Sequence, residues 1–397
     1  MEETDIIISG GGPAGLLAAI TLGAEGHHVV CVDPKPIIED GNDPLADLRT
    51  TAYLQPAQAL LSELGLWDVL ADWATPLQIM RLVDAGGADG TIQETADFDA
   101  NEIGDLPFGW NIPNWRMRRT LAEAIASKPN INFVEGEAIT ALTTRESEAL
   151  VTLSDGQRFR APLVIGADGR DSFVREAVGI DATSTRYGQQ AIVFVVGHDQ
   201  RHENISTEIH RSGGPFTLVP LPDHLGRPAS AVVWMDFAAD QKRRMDLTET
   251  NFAKEATERS AHVLGDLTLI SQRQSWPIIT RQAAHLTADR TALIAEAAHV
   301  IPPIGAQGLN MSINDILALR DAAREHPLGS QKMLSAYSER RVPDIALRVR
   351  GIDALNRAAM FQDENLQALR LIGLQSLHGL RPIRRVAMEM GLGANPR

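Results

Sequence analysis

Apolar residues along this chain come in short runs broken by glycine. Ile6-Ile7-Ile8 is a continuous β-branched run, short enough to be a strand buried on both faces. Glycines follow, and Leu16 to Leu22 then reads as a helix. Val29-Val30-Cys31-Val32 is a second strand, ending at Asp33. Helical spacing recurs over Gln55 to Ala71 and over Arg118 to Ala126. Between them, Leu77 to Phe98 changes to alternation with glycine turns, the pattern of half-buried strands. Asn132 to Glu135, Ala149 to Leu153 and Arg158 to Arg160 follow as strands, and Leu163-Val164-Ile165 is a buried one. Residues Tyr187 to Asp236 form a β-rich block, Thr291 to Ile294 is another strand, and Leu309 to Arg320 opens a largely helical remainder.

The pattern predicts an α/β fold.

Composition narrows the function. Of 397 residues, 44 % are hydrophobic and 22 % charged, as in soluble globular proteins, and the formal net charge of −14 argues against a nucleic-acid partner. Residues Ile6 to Ala24 carry no charge, but Glu2, Glu3 and Asp5 precede them where a signal peptide needs basic residues. The single cysteine, Cys31, sits in a predicted buried strand and suits a reducing cytoplasm. No spacing suggests a metal site.

Three glycine loops carry the candidate chemistry, each after a predicted strand. In the first, Gly10, Gly12 and Gly15 have the G-x-G-x-x-G spacing around Pro13 and Ala14. Such glycines allow a tight turn, close approach of backbone to a pyrophosphate, and close helix–strand packing. Asp33, 18 residues after Gly15, stands where an acid accepts a ribose hydroxyl. The second loop is Gly166-Ala167-Asp168-Gly169-Arg170-Asp171-Ser172-Phe173-Val174-Arg175. A carboxylate between two glycines at a strand end can lie close to a polyhydroxylated chain. The third runs from Glu296 through His299, Pro302, Pro303, Gly305, Gln307, Gly308 and Leu309 to Asn310 and opens a helix.

With all three in order, the chain resembles the flavin-dependent aromatic hydroxylases that share the p-hydroxybenzoate hydroxylase fold, over nearly its whole length. Asp47 to Ala52, Asn114 with Arg118, Tyr187-Gly188-Gln189, Gly214-Pro215 with Leu218 to Leu221, Asp315, and Tyr337 with Arg341 and Asp344 make it most similar to the ubiquinone-biosynthesis hydroxylases. The resemblance implies a Rossmann-like, discontinuous FAD-binding domain of residues 1–74, 101–180 and 275–345, an inserted β-sheet substrate domain of 75–100 and 181–274, and a helical C-terminal segment of 346–397. It implies FAD as cofactor and NAD(P)H as a transient reductant. The reaction implied is hydroxylation of an electron-rich aromatic ring by O₂, on a prenylated phenol of ubiquinone biosynthesis. It implies that Arg49, Arg118, Asp168 with Gly169, and the carboxylate at Glu296 contact FAD. Gly305, Gln307, Gly308, Leu309 and Asn310 would hold the flavin edge, and Pro302, Pro303 and Gly305 would wall the reacting face. His299 is expected to order its loop rather than to act as a base. The chain departs from the family's pattern twice: Ala295-Glu296 stands for Gly-Asp, and Gly305-Ala306 for Ala-Gly. Phe216, Leu218, Pro220 and Trp234 are the candidate substrate-pocket residues.

A hydroxylase of a small soluble aromatic acid, and a non-catalytic FAD-bound subunit, are the alternatives. The C-terminal charge bears on the choice. From Ile345 to Arg397 there are eight arginines and four acidic residues. An apolar face of Ile352, Leu355, Ala359, Leu366, Leu369, Ile372, Leu374, Leu377 and Leu380 accompanies them. Such helices either pack on their own domain or lie on a partner or an anionic membrane. The expected location is cytoplasmic, with peripheral contact on the inner face of the membrane as the form that suits a lipid substrate.

Overall fold

Ile6, Ile7 and Ile8 are fully buried and form the strand Ile6–Ser9 at the centre of a parallel sheet. A computed structural model describes residues 1–86, 90–211, 213–360, 378–379 and 381–391. The six strands of this sheet lie in the order Thr287–Ala288, Thr291–Leu293, Leu163–Gly166, Ile6–Ser9, Val29–Asp33, Ile131–Glu135. Every pairing is parallel except the short outermost one at Thr287–Ala288. Parallel neighbours bring their carboxyl ends to one edge, which is where open α/β sheets bind ligands. The three glycine loops follow three adjacent strands and so emerge side by side. Backbone bonds lace them together: Ala167 N–H donates to the Ser9 carbonyl at 2.8 Å, and Ile294 N–H to the Gly166 carbonyl at 2.9 Å.

The helix Pro13–Ala24 is buried nearly all round, because the sheet lies beneath it and the helices Asn114–Ala126 and Gln307–Glu325 flank it. The expected single helix over Gln55 to Ala71 is broken. Gln55–Glu63 ends at a turn with Gly65 at φ +71°, a conformation that glycine takes without strain, and Trp67–Leu70 starts afresh.

A second sheet has nine strands among the described residues. Its main path runs His299–Val300, Gln274–Ala283, Ala182–Gly197, Arg227–Phe237, Pro215–His224, Ile205–His210, Ile79–Asp84, Glu94–Asp99. The strand His299–Val300 belongs to the third glycine loop, so that loop is pinned to both sheets. One face of the large sheet is closed by the helix Glu249–Arg259 through Phe194, Phe216, Trp234 and Phe252. The other meets the proline loop and a long helix, Gln331–Ala359: Ala191, Met235 and Ile278 cluster with Ile304 and Ile352.

The C-terminal segment packs on the molecule wherever it is described. Ile352 and Ala359 belong to the buried stripe of the long helix, whereas Leu355 is exposed. Met388 is buried against Ala96, Phe98, Ala100 and Phe108, and Arg384 pairs with Glu102 at 2.7 Å. The expected apolar positions Leu366, Leu369, Ile372, Leu374, Leu377 and Leu380 lie outside the described residues. Among the described residues, no helix is long and apolar enough to cross a membrane.

Candidate functional site

At the first loop the glycines divide by role. Gly10 has φ +105°, and a methyl there would come within 2.3 Å of the Ala167 carbonyl oxygen. A methyl on Gly15 would meet the Gly10 carbonyl at 1.8 Å. These two are glycine because protein fills the space. At Gly12 a methyl would meet nothing within 4 Å, and no side chain caps the helix that begins at Pro13 and Ala14. A helix start left open in this way presents N–H groups and the positive end of its dipole to an anion.

Asp33 and Arg118 meet beside that helix start, 3.2 Å apart. Asp33 Oδ2 accepts the Gly11 N–H at 2.6 Å, and Oδ1 accepts the Lys35 N–H at 2.8 Å. Arg118 also donates to the carbonyls of Gly11 and Lys35, both at 2.7 Å, and to that of Pro36. Arg118 holds the turn after the second strand against the glycine loop.

Asp168 is the central carboxylate. Its Oδ2 accepts the Val174 N–H at 3.0 Å and the Ser9 hydroxyl at 3.4 Å, while Oδ1 is buried with no partner. Burial pushes its carboxyl above the usual carboxylate range, against the hydrogen bonds that favour the charged form. A buried acceptor without a donor is costly unless a ligand supplies one. Next to it Gly169 has φ +84° and open space where a side chain would stand. Arg175, which the sequence placed only within a motif, is buried and donates to the carbonyls of Ala297 at 2.9 Å and Arg170 at 3.0 Å. It ties the second loop to the third.

In the third loop Glu296 is 42 % exposed, 3.6 Å from Arg49 and 3.8 Å from Arg170. Both guanidiniums lie over Trp276, at 4.5 and 5.7 Å from its ring centroid. Arg49 is clamped from its other side by Asp47, with Nη2 at 2.8 Å from Oδ2. The extra methylene of Glu296 thus reaches an arginine pair that the sequence did not reveal. His299 is buried; its Nε2–H donates to Asp315 Oδ2 at 2.7 Å. Asp315 also accepts from Arg341 Nε at 2.7 Å and from the Ala295 N–H at 3.0 Å. Burial alone would raise the Asp315 carboxyl, but His299 and Arg341 hold it below its ordinary value. A histidine fixed in this way orders its loop.

Beyond His299, Pro302 is buried, while Pro303, Gly305 and Gly308 are exposed. Methyls on Gly305 or Gly308 would meet nothing within 4 Å. Asn310 is fully occupied by protein: its amide nitrogen donates to the carbonyls of Ala52 and Ala306, each at 2.7 Å, and its oxygen accepts the Leu54 N–H at 3.0 Å. Gln307 donates to the Gly305 carbonyl at 3.0 Å, and Leu309 is half-buried. A cradle of open glycines around an unpartnered buried carboxylate fits an FAD molecule laid along this edge.

The expected substrate-pocket residues lie on the face of the large sheet turned away from the proline loop. Phe216, Leu218 and Trp234 face the helix Glu249–Arg259 and are fully closed in its core, with Pro220 on the same side by alternation. The face toward the proline loop carries Ala191, Val233 and Met235, with Thr217 opposite Val233 in register. Strands buried on both faces give no alternation from which to choose a side.

A family model described as an FAD binding domain matches residues 3–350. Ubiquinone hydroxylase UbiL of Rhodospirillum rubrum is 30 % identical over 400 residues, covering 99 % of this chain and 90 % of that protein. The 3-demethoxyubiquinol 3-hydroxylase of Escherichia coli is 27 % identical over 99 % of both chains. Among solved structures, p-nitrophenol 4-monooxygenase PnpA from Pseudomonas putida aligns over the full length of both chains with a TM-score of 0.81 at 20 % identity, a likeness of fold.

Proposed function

The chain belongs to the FAD binding domain family, and from that we propose that it is an FAD-dependent monooxygenase of ubiquinone biosynthesis, taking NAD(P)H and O₂ to hydroxylate the ring of a polyprenyl phenol. The observation that carries the cofactor assignment is the buried, unpartnered Asp168 Oδ1 among three open glycine loops. Similarity to ubiquinone hydroxylases over nearly the whole chain supports the reaction.

When bound, FAD supplies electron transfer from the nicotinamide and activation of O₂. The chain's own residues bind and orient it. Gly12, Pro13 and Ala14 would offer the helix start to the pyrophosphate, and the Asp33–Arg118 pair would shape the adenosine side. Asp168 would accept a hydroxyl of the ribityl chain, and Arg49 with Glu296 would flank it. The helix from Gln307, with no side chain capping its start, would offer backbone N–H groups to the flavin's pyrimidine edge and favour negative charge there. Pro302 and Pro303 lack backbone donors, and Ile304 packs against Met235 and Val233 beside them, which supports an apolar wall on the reacting side of the flavin. The division into a discontinuous FAD domain, an inserted sheet domain and a C-terminal segment is part of this reading.

The long helix exposes Leu347 (65 %) and Leu355 (58 %), with the exposed Arg350 one turn from Leu347, which supports peripheral contact with an anionic membrane, where a prenylated substrate resides. Replacing both leucines by glutamate is expected to lower liposome association at constant FAD content. Unchanged association removes the lipid argument.

Anaerobic reduction of the FAD-loaded protein by NADPH, with and without candidate phenols, tests the reaction class. Reduction that a prenylated phenol accelerates supports it; equally slow reduction with every ligand points to a non-catalytic subunit.

A further inference from the structure

Arg348 plays no part in the sequence motifs, yet it reaches the flavin-edge helix. Its Nη1 donates to Gln307 Oε1 at 2.5 Å, and its Nε donates to Asp344 Oδ1 at 2.8 Å. Asp344 in turn accepts from Arg341 at 2.6 Å, and Arg341 donates to Asp315 at 2.7 Å. Asp315 holds His299. One chain of charge-assisted bonds thus leaves the long helix and grips the proline loop at both ends, at His299 before Pro302 and at Gln307 after Gly305. The Arg348 side chain is 19 % exposed.

This contact decides the orientation of an amide. A guanidinium can only donate, and the Gly305 carbonyl can only accept. One rotamer of the Gln307 amide satisfies both, with oxygen toward Arg348 and nitrogen toward Gly305. The flipped amide would set donor against donor and acceptor against acceptor. Resting on the flavin reading above, we propose that Arg348 is a positioning residue: by locking the Gln307 amide it sets the helix start that faces the flavin's pyrimidine edge, and so tunes the ease of flavin reduction. An unlocked, shifted helix start stabilises the charge of the reduced cofactor less well.

The test is the reduction potential of the FAD-loaded full-length protein, measured by dye equilibration. Arg348→Met removes the donor and keeps the aliphatic stem. It is expected to lower the reduced-to-oxidised ratio at fixed potential about tenfold, a shift of about 30 mV for a two-electron couple. Arg348→Lys, which retains a donor, is expected to recover most of it. Should Arg348→Met not fold or not hold FAD, Gln307→Met with Arg348 intact is read in the same way and is expected to show the same shift. An unchanged potential in the variant that holds FAD overturns the role of Arg348. A wild-type protein that takes up no FAD overturns the underlying flavin reading instead.

Discussion

Arg118 Nη2 lies 3.2 Å from Asp33 Oδ1, and the pair joins the helix Asn114–Ala126 to the end of the strand Val29–Asp33. Both residues were expected to touch the cofactor, and the structure shows that they touch each other. Arg118 spends its planar fork on three carbonyls as well as the carboxylate. Lysine has the charge but not the fork. Arg118→Lys is therefore expected to lose about 2 kcal/mol of stability in urea unfolding and to weaken FAD binding in fluorescence titration. A lysine variant equal to wild type in both would show that the fork is dispensable.

Asp168 is held above the usual carboxylate range by burial. A group whose folded-state value is raised takes up a proton more readily when folded. Its charge thus costs stability as pH rises from the unfolded carboxylate value of about 4 through the raised folded value. Asp168→Asn removes that cost. The FAD-free variant is expected to melt at a higher temperature than the FAD-free wild type at pH 7, and at the same temperature near pH 3. Its FAD affinity is expected to fall at least about tenfold, or about 1.4 kcal/mol. A variant that is less stable at pH 7, or that binds FAD normally, contradicts the placement of Asp168.

Legibility followed the range of the physics. The first unit could be read because each element is local: an isoleucine run, a glycine turn and a helix need no distant partner to be recognised. Gly65 carried a readable signal too, since glycine inside a helical pattern often marks its end. The side of the strand Pro215–His224 could not be read, because Thr217 and Val219 are nearly as compatible with burial as Phe216 and Leu218. Contacts such as Arg348 with Gln307, Arg118 with Asp33, or Arg175 with Ala297 join residues far apart in the chain, and only the fold brings them together.

Ala295 and Ala306 both have φ +56°, in the left-handed region that disfavours side chains. They stand at the two departures from the family's glycine pattern, although at the second the neighbouring Gly305, φ +65°, is left-handed as well. Ala295→Gly and Ala306→Gly are each expected to stabilise the FAD-free protein by about 0.5 kcal/mol, the strain relieved less the entropy that glycine adds to the unfolded chain. Denaturant unfolding checks this, and destabilisation by either change would refute the strain argument.

The two faces of the large sheet are expected to separate stability from substrate choice. Trp234→Ala empties a closed core and is expected to cost about 3–5 kcal/mol. Val233→Phe, on the face toward the proline loop, is expected to leave the melting temperature within about 2 °C, since half-buried positions tolerate bulk better than closed cores. It should raise KM for a prenylated phenol more than it lowers kcat. The opposite pattern would return the substrate to the face of Phe216 and Leu218.

Isotope incorporation tests the central claim most directly. FAD-loaded protein is supplied with NADPH, ¹⁸O₂ and a short-chain prenylated phenol, and the product is weighed by mass spectrometry. The account expects one ¹⁸O atom in a ring hydroxyl for each NADPH consumed in coupled turnover. NADPH oxidation that yields only hydrogen peroxide with prenylated and small phenols alike, or a product whose new oxygen comes from water, would contradict it.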